Sequence, residues 1–444
     1  MQNTIRILMA IIIIVAIGIN ISCKKSDPVN PALPGENPFN NGSNERNMIV
    51  VLSDMHLGAD INYAECNENR ATLETLLYQI RGAATVKELV IAGDLIDEWF
   101  VPAEVDTYAG KGQSDFVQRV AATNKGVFDA FNAIIKDGKI LVTYVPGNHD
   151  LAITAESVSL ILPGINQARE NQQGLGTYSP DGCPKLAIEH GHRYNFFCAP
   201  DPFSNKDIAP GSIMPPGYFF TRIATQHVIE NCKTPGDEMP IVTPNTTGDA
   251  SQYLVYVYWQ VWQGLMSSLP VNEKFSDKMI VTNIDGYTQN YSINDLMPSQ
   301  SITDGFIDMN LYKGIMENWD DRQNINNVPT YITLKDAISK SASNGATDSM
   351  ALSQYFLNSD SDKRIVIFGH THDPKIQEFK NLDLQKCIYA NSGTWIDDNK
   401  TADTKMNFIV VTPQNNDASS QTYVKLYYCD DMGINEKSAE SLRY

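Results

Sequence analysis

The stretch Ile367-Phe-Gly-His-Thr-His-Asp-Pro374 puts two histidines one residue apart, directly after an apolar run, in a chain of 444 residues with only seven histidines. Side chains of an extended segment alternate sides, so His370 and His372 face the same way and can present two imidazoles to one point. Four other apolar runs end in similar groups. Met48–Leu52 leads into Asp54 and His56, and Leu89–Ala92 into Asp94 and Asp97. Ile140–Val145 leads into Asn148, His149 and Asp150, and Leu186–Ile188 into His190 and His192. Of all the histidines only His227 stands outside this pattern, and it reads as an ordinary helix residue.

The inventory Asp54, His56, Asp94, Asn148, His190, His370 and His372 combines carboxylate, amide oxygen and imidazole, with no thiolate. Mixed nitrogen and oxygen donors suit Mn, Fe or Zn. Seven ligands exceed one tetrahedral site but fit two divalent ions if one carboxylate bridges them. Two ions about 3.5–4 Å apart can clamp a phosphoryl group and activate a bridging water for in-line attack.

For residues scattered from 54 to 372 to meet, strands must carry them to one edge. Strand patterns fall at 48–53, 87–92, 139–145, 185–189, 364–368, 387–391, 407–412 and 423–429, with helical patterns at 69–83 and 116–138. Strand, helix, strand, helix, strand predicts parallel pairing with right-handed crossovers. Sites in such sheets form outside the carboxyl ends of the strands, where all five segments fall.

The motifs D-x-H, G-D-x-x-D, G-N-H-D, H-G-H and G-H-x-H, in that order, resemble the calcineurin-like metallophosphoesterase superfamily. The resemblance implies an α/β fold, a two-sheet β-sandwich flanked by helices. It implies that Asp54, His56 and His372 hold one metal, that Asn148, His190 and His370 hold the other, and that Asp94 bridges. His149 would protonate the leaving oxygen or stabilise the transferring phosphoryl group, with Asp97 orienting it. The protein-phosphatase branch has Arg after G-D-x-x-D and Glu after G-N-H, where this chain has Glu98 and Asp150. "GDLIDEW" is closer to the branch containing the UDP-diacylglucosamine pyrophosphatases of lipid A synthesis. Those act at the cytoplasmic membrane face, and this chain reads as exported, which argues for a different substrate. His192 stands where that branch often has Asp, and its role is open.

Arg6 precedes a charge-free apolar run, Ile7 to Ile19, too short for a usual transmembrane helix and suited to a secretory signal over residues 1–22. Cys23 after Ser22 resembles the acylated cysteine of a bacterial lipoprotein, although Asn20 departs from that pattern, and an uncleaved anchor is the alternative. Either places the protein in the cell envelope, outside the cytoplasm and attached to the membrane. Residues 23–46, rich in Pro, Asn, Gly and Ser, predict a flexible tether. Residues 47–444, roughly 400, can bury a large core as one elaborated domain or two. Without residues 1–22, which hold Arg6 and no acid, 33 basic face 52 acidic residues, a net charge of −19. Such a surface repels phosphate backbones, so nucleic acid is not an expected partner. The six cysteines beyond Cys23 permit many disulfide pairings, and with no C-x-x-C pair a zinc–thiolate cluster is not expected.

Residues of about 200–360 exceed what the bare fold needs and predict an inserted cap that would set substrate choice. Within it, 251–270 is uncharged and aromatic. Gln252, Gln260 and Gln263 favour a buried helix over a lipid-facing one, and the other reading is an apolar wall for a lipid or nucleoside leaving group. Arg193 is a candidate phosphate contact, with a surface ion pair as the alternative. The expected activity is hydrolysis of a phosphate ester or pyrophosphate bond in a phosphorylated small molecule or lipid. The alternatives are a nucleotidase or lipid phosphodiesterase of the same family, or a non-catalytic surface binding protein. The last would predict loss of Asp94 or His149, and both are present.

Overall fold

The all-apolar run Met48–Leu52 forms β1, buried along its whole length, and pairs in parallel with β2 (Val86–Ala92), which pairs in parallel with β3 (Leu141–Val145). Parallel neighbours need crossovers. Helix Arg70–Gly82 supplies the first, and helices Gln113–Thr123 and Lys125–Asp137 the second. The single helix expected over 116–138 is instead two. Asn124 stands at the break, its side-chain amide donating to the carbonyls of Gly58 and Val120. In this computed structural model, residues 33, 35, 37–170, 174–231, 234, 236–341, 344–414 and 420–444 are described. They divide into two compact units.

The sheet-bearing unit comprises described residues up to Asp97, Val117–His192 and Asp348–Tyr444. Its first sheet adds β4 (Asn166–Gln167), β12 (Asn407–Thr412), β13 (Thr422–Asp430) and β14 (Gly433–Leu442), in the order β14-β13-β12-β1-β2-β3-β4. A second sheet holds β5 (Thr177–Tyr178), β6 (Leu186–Glu189), β9 (Ile365–Phe368), β10 (Lys375–Lys380) and β11 (Lys386–Asn391), in the order β10-β11-β9-β6-β5. Alternate residues of both sheets share one core: Ile49, Val51, Val90 and Ala92 from the first, Leu186, Ile188, Ile365, Ile367 and Ile388 from the second. Each large aliphatic buried there contributes about 1.5–3 kcal/mol relative to exposure. The amphipathic helix Lys125–Asp137 buries Val127, Phe128, Phe131 and Ile134, and lies against β3 and helix Arg70–Gly82. The expected sandwich flanked by helices is therefore what forms.

Besides the two-residue strands β4 and β5 and the ribbon described below, two longer strands, β10 and β14, were not expected. Both are charged edge strands (KIQEFK and GINEKSAESL), and charge at an edge blunts pairing with another chain while erasing the apolar alternation that betrays a strand. The stretch expected to be a flexible tether is held at its far end. Phe39 is buried and stacks on Phe408, its carbonyl accepts from Thr85 Oγ1, and Gly35 bridges Ile434. Residues 1–32, with the expected signal and Cys23, lie outside the described residues.

The other unit comprises Glu98–Phe116 and Arg193–Thr347, so the extra residues come from two pieces of the chain, whereas one insertion at about 200–360 was expected. Buried Arg222 joins the pieces by donating to the carbonyls of Val101, Pro102, Ala103, Val105 and Val281. The aromatic stretch forms helix Ala250–Ser268, capped by Asp249 and burying Tyr258, Trp259 and Trp262. Gln252 on it is buried and bonds to the backbone of Ile307 in a two-stranded ribbon, β7 (Ser299–Gln300) and β8 (Ile307–Asp308). His227, on helix Pro216–Glu230, bonds to the Pro270 carbonyl. Cys66, Cys183, Cys387 and Cys429 are free thiols, and Cys232 lies outside the described residues. No helix among the described residues is long and apolar enough to cross a membrane.

Candidate metal centre

At the carboxyl ends of β1, β2, β3, β6 and β9 the five predicted segments converge. Asp54, His56, Asp94, His370 and His372 all adopt positive φ, between 46° and 70°. A non-glycine residue there costs about 1–2 kcal/mol, a strain that persists only where surroundings impose it. Here neighbouring loops impose it. The Asp54 carbonyl accepts from the Trp395 amide and the Thr394 hydroxyl. Its carboxylate accepts from the His370 amide, and the Met55 and His56 amides donate to the Asp94 carbonyl. Asp150 ties two loops together, accepting from the Gly147 amide on one oxygen and from the Leu95 and Ile96 amides on the other. Its burial, with the nearby Asp94 charge, pushes it up to about 6.

The donor atoms fall into two sets. In one, His372 Nε2 lies 3.1 Å from both Asp54 Oδ1 and His56 Nε2. In the other, Asn148 Oδ1 lies 2.7 Å from His370 Nδ1 and 3.1 Å from His190 Nε2. Asp94 Oδ2 reaches both, 3.0 Å from His190 Nε2 and 3.6 Å from His56 Nε2. A divalent ion with bonds of about 2.1 Å holds adjacent ligand atoms about 3.0–3.4 Å apart, so these spacings fit two centres with one shared carboxylate. Tautomers agree with that. His190 Nδ1 donates to the Ala92 carbonyl at 2.9 Å and His56 Nδ1 to Asp97 Oδ2 at 2.8 Å, leaving each Nε2 as the nitrogen that can ligate a metal.

Asp97 serves two histidines. Its other oxygen, Oδ1, lies 2.8 Å from His149 Nδ1. Burial opposes ionisation of Asp97, but the facing histidines win and hold it well below the usual carboxylate range. Burial would lower His149, yet Asp97 raises it, favouring the imidazolium. His149 is 14% exposed where His56 is 1%, and its amide donates to Asp94 Oδ1 at 2.8 Å. His190 is held up at about 9, Asp94 and Asp54 outweighing its burial, while burial and the His190 charge push His370 down to about 3.

All nine predicted metal and catalytic residues thus meet in one cluster. Arg193 belongs to the other unit, where it is buried and donates to the Asn326 carbonyl, which does not match the surface ion pair considered for it. His192 is buried beside His190, its Nε2 donating to the Gly174 carbonyl. Sequence reasoning missed Glu65, whose carboxylate lies 3.3 Å from His56 Nδ1 as a second acceptor, and Asp150 as the tie between loops.

A family model described as calcineurin-like phosphoesterase matches residues 48–212, covering the first four motif segments and leaving His370 and His372 beyond it. The match supports a calcineurin-like phosphoesterase domain in this chain. Among solved structures, a single-mutant Vps29 from Entamoeba histolytica is 10% identical, covering 89% of this chain and 99% of that one at a TM-score of 0.29. The wild-type protein complexed with zinc is also 10% identical, covering 89% and 98% at 0.29. No curated protein matches the chain.

Proposed function

We propose that this chain is a two-metal phosphoesterase, with Asp54, His56 and His372 holding one ion, Asn148, His190 and His370 the other, and Asp94 shared between them. The observation that carries this reading is the convergence of those donor atoms, at spacings of 2.7–3.6 Å, beside the hydrogen-bonded pair of His149 and Asp97. Bound Mn, Fe or Zn ions would supply Lewis acidity toward a phosphoryl oxygen and a nucleophile ionised at neutral pH. The protein's own part is positional. Asp97 fixes the ring of His56 so that Nε2 faces the ligand set, and fixes His149 with Nδ1 engaged. The Asp97 charge keeps His149 protonated, so it can give its Nε2 proton to the departing alkoxide. Asp94 Oδ1 holds the His149 backbone, keeping acid and ligands in register.

The substrate class under this reading is a phosphate ester or pyrophosphate of a small molecule or lipid. We further propose that the chain is held in a bacterial envelope by a lipid on Cys23. Mass spectrometry of membrane-extracted protein should find residues 1–22 absent and Cys23 acylated, and an intact N-terminus would overturn this. For the chemistry, His149→Ala should lower turnover on alkyl phosphates by roughly a hundred- to ten-thousand-fold. The loss should be much smaller on p-nitrophenyl phosphate, whose leaving group barely needs a proton, and metal content should stay unchanged. If the loss is equal on both substrates, or absent, His149 is not the acid.

A further inference from the structure

Asp348 lies on helix Asn344–Ala351 and begins the last segment of the sheet-bearing unit. Its side chain is 2% exposed and belongs to neither ligand set. Four donors converge on it: Thr371 Oγ1 at 3.0 Å, Lys375 Nζ at 2.7 Å, Asn391 Nδ2 at 3.3 Å, and the Tyr389 hydroxyl. Asn391 Nδ2 also donates to the Gly369 carbonyl at 2.7 Å and to Thr371 Oγ1 at 3.0 Å. The residue before His370 and the residue between His370 and His372 are therefore both tied to one buried carboxylate and its amide neighbour.

That loop needs holding. His370 and His372 sit at φ of 70° and 55°, and the Thr371 amide closes a tight turn onto the Gly369 carbonyl at 2.8 Å. Two left-handed residues in three are unfavourable unless outside contacts fix them. A buried carboxylate is itself costly, and a well-packed apolar residue would fill the same space at less expense in desolvation. We infer that Asp348 is a positioning residue for the metal ligands, setting His370 and His372 through the Thr371 hydroxyl. This rests on the two-metal reading, with His370 on one ion and His372 on the other, so loosening Thr371 weakens both.

The test uses Mn²⁺ with the full chain carrying Thr371→Val, which replaces the hydroxyl by a methyl of similar size, and in parallel Asp348→Ala. Melting of the metal-free proteins reports the purely structural share. Thr371→Val should melt within a few degrees of wild type yet bind Mn²⁺ roughly ten- to a hundredfold more weakly, as expected for a partner that orients ligands. At two equivalents of Mn²⁺, the exchange-coupled signal of paired ions in electron paramagnetic resonance should give way to the six-line signal of isolated ions. Asp348→Ala should show the same at greater amplitude, and if it does not fold, Thr371→Val decides. Wild-type affinity with an intact coupled signal in Thr371→Val would overturn the inference. Absence of two bound ions in wild type would instead refute the metal reading beneath it.

Discussion

Gly147 lies so close to Asp94 that a single methyl tests how the site is held. A Cβ built there would stand 2.1 Å from Asp94 Oδ1, 2.3 Å from the Asp94 backbone nitrogen and 2.8 Å from its Cγ. Because a backbone atom is among them, no rotamer change relieves the clash, and the loops must part by about 1 Å or more to reach ordinary contact. Overpacking of this kind costs about 1–3 kcal/mol. The functional cost is separate. Moving Asp94 breaks its 2.8 Å bond from the His149 amide and its 3.0 Å approach to His190 Nε2. With Asp94 as the proposed shared residue, Gly147→Ala should weaken Mn²⁺ binding at both positions by roughly ten- to a hundredfold, measured by calorimetry. Gly138→Ala is the control. That glycine has φ of 62° with nothing within 4 Å of its Cβ position, so it should lose about 1 kcal/mol without changing metal affinity. A Gly147→Ala protein that binds two ions as tightly as wild type would show that this contact does not set Asp94 for metal.

Metal affinity should depend steeply on pH. His190, held up at about 9 in the metal-free fold, must lose a proton to ligate, so Mn²⁺ affinity should rise about tenfold per unit from pH 7 to 9 and then level off. The sign for the metal-free fold is opposite. Because the folded value lies above the ordinary 6.5, the stability His190 confers is complete below about 6.5 and is lost as pH rises through about 9. Affinity that stays flat across that window would contradict both. Phe39→Ala, removing a buried ring stacked 5.8 Å from Phe408, should cost about 3 kcal/mol in denaturant unfolding; a loss near zero would mean the segment is free in solution.

Much of the sheet-bearing unit was legible because apolar runs ended in rare polar groups. β1, β2, β3, β6 and β9 announce themselves by burial on both faces, and each delivers its ligands at its carboxyl end. What stayed hidden lacks that signature. β10 and β14 carry edge charges that mask their period. Helix 116–138 is apolar-periodic on both sides of Asn124, and only the side chain's reach to the Gly58 carbonyl shows the break. Residues 98–116 join the other unit through backbone carbonyls that Arg222 recognises, and a carbonyl has no sequence. Glu65 and Asp348 stand apart from any motif; each matters through a partner outside its own segment, His56 for one and Thr371 for the other. The nine clustered residues were readable because the chemistry proposed for them demands particular side chains at a strand end. Their supports were not, because any donor or acceptor with the right reach would serve.

The two-metal reading requires that two ions share Asp94. Elemental analysis of the folded protein after saturation with Mn²⁺ or Zn²⁺ and removal of the excess, run beside Asp94→Asn, tests it directly. The prediction is two ions per chain in wild type and reduced occupancy at both positions in the variant. One ion or none in wild type, or an Asp94→Asn protein that keeps two, would contradict it.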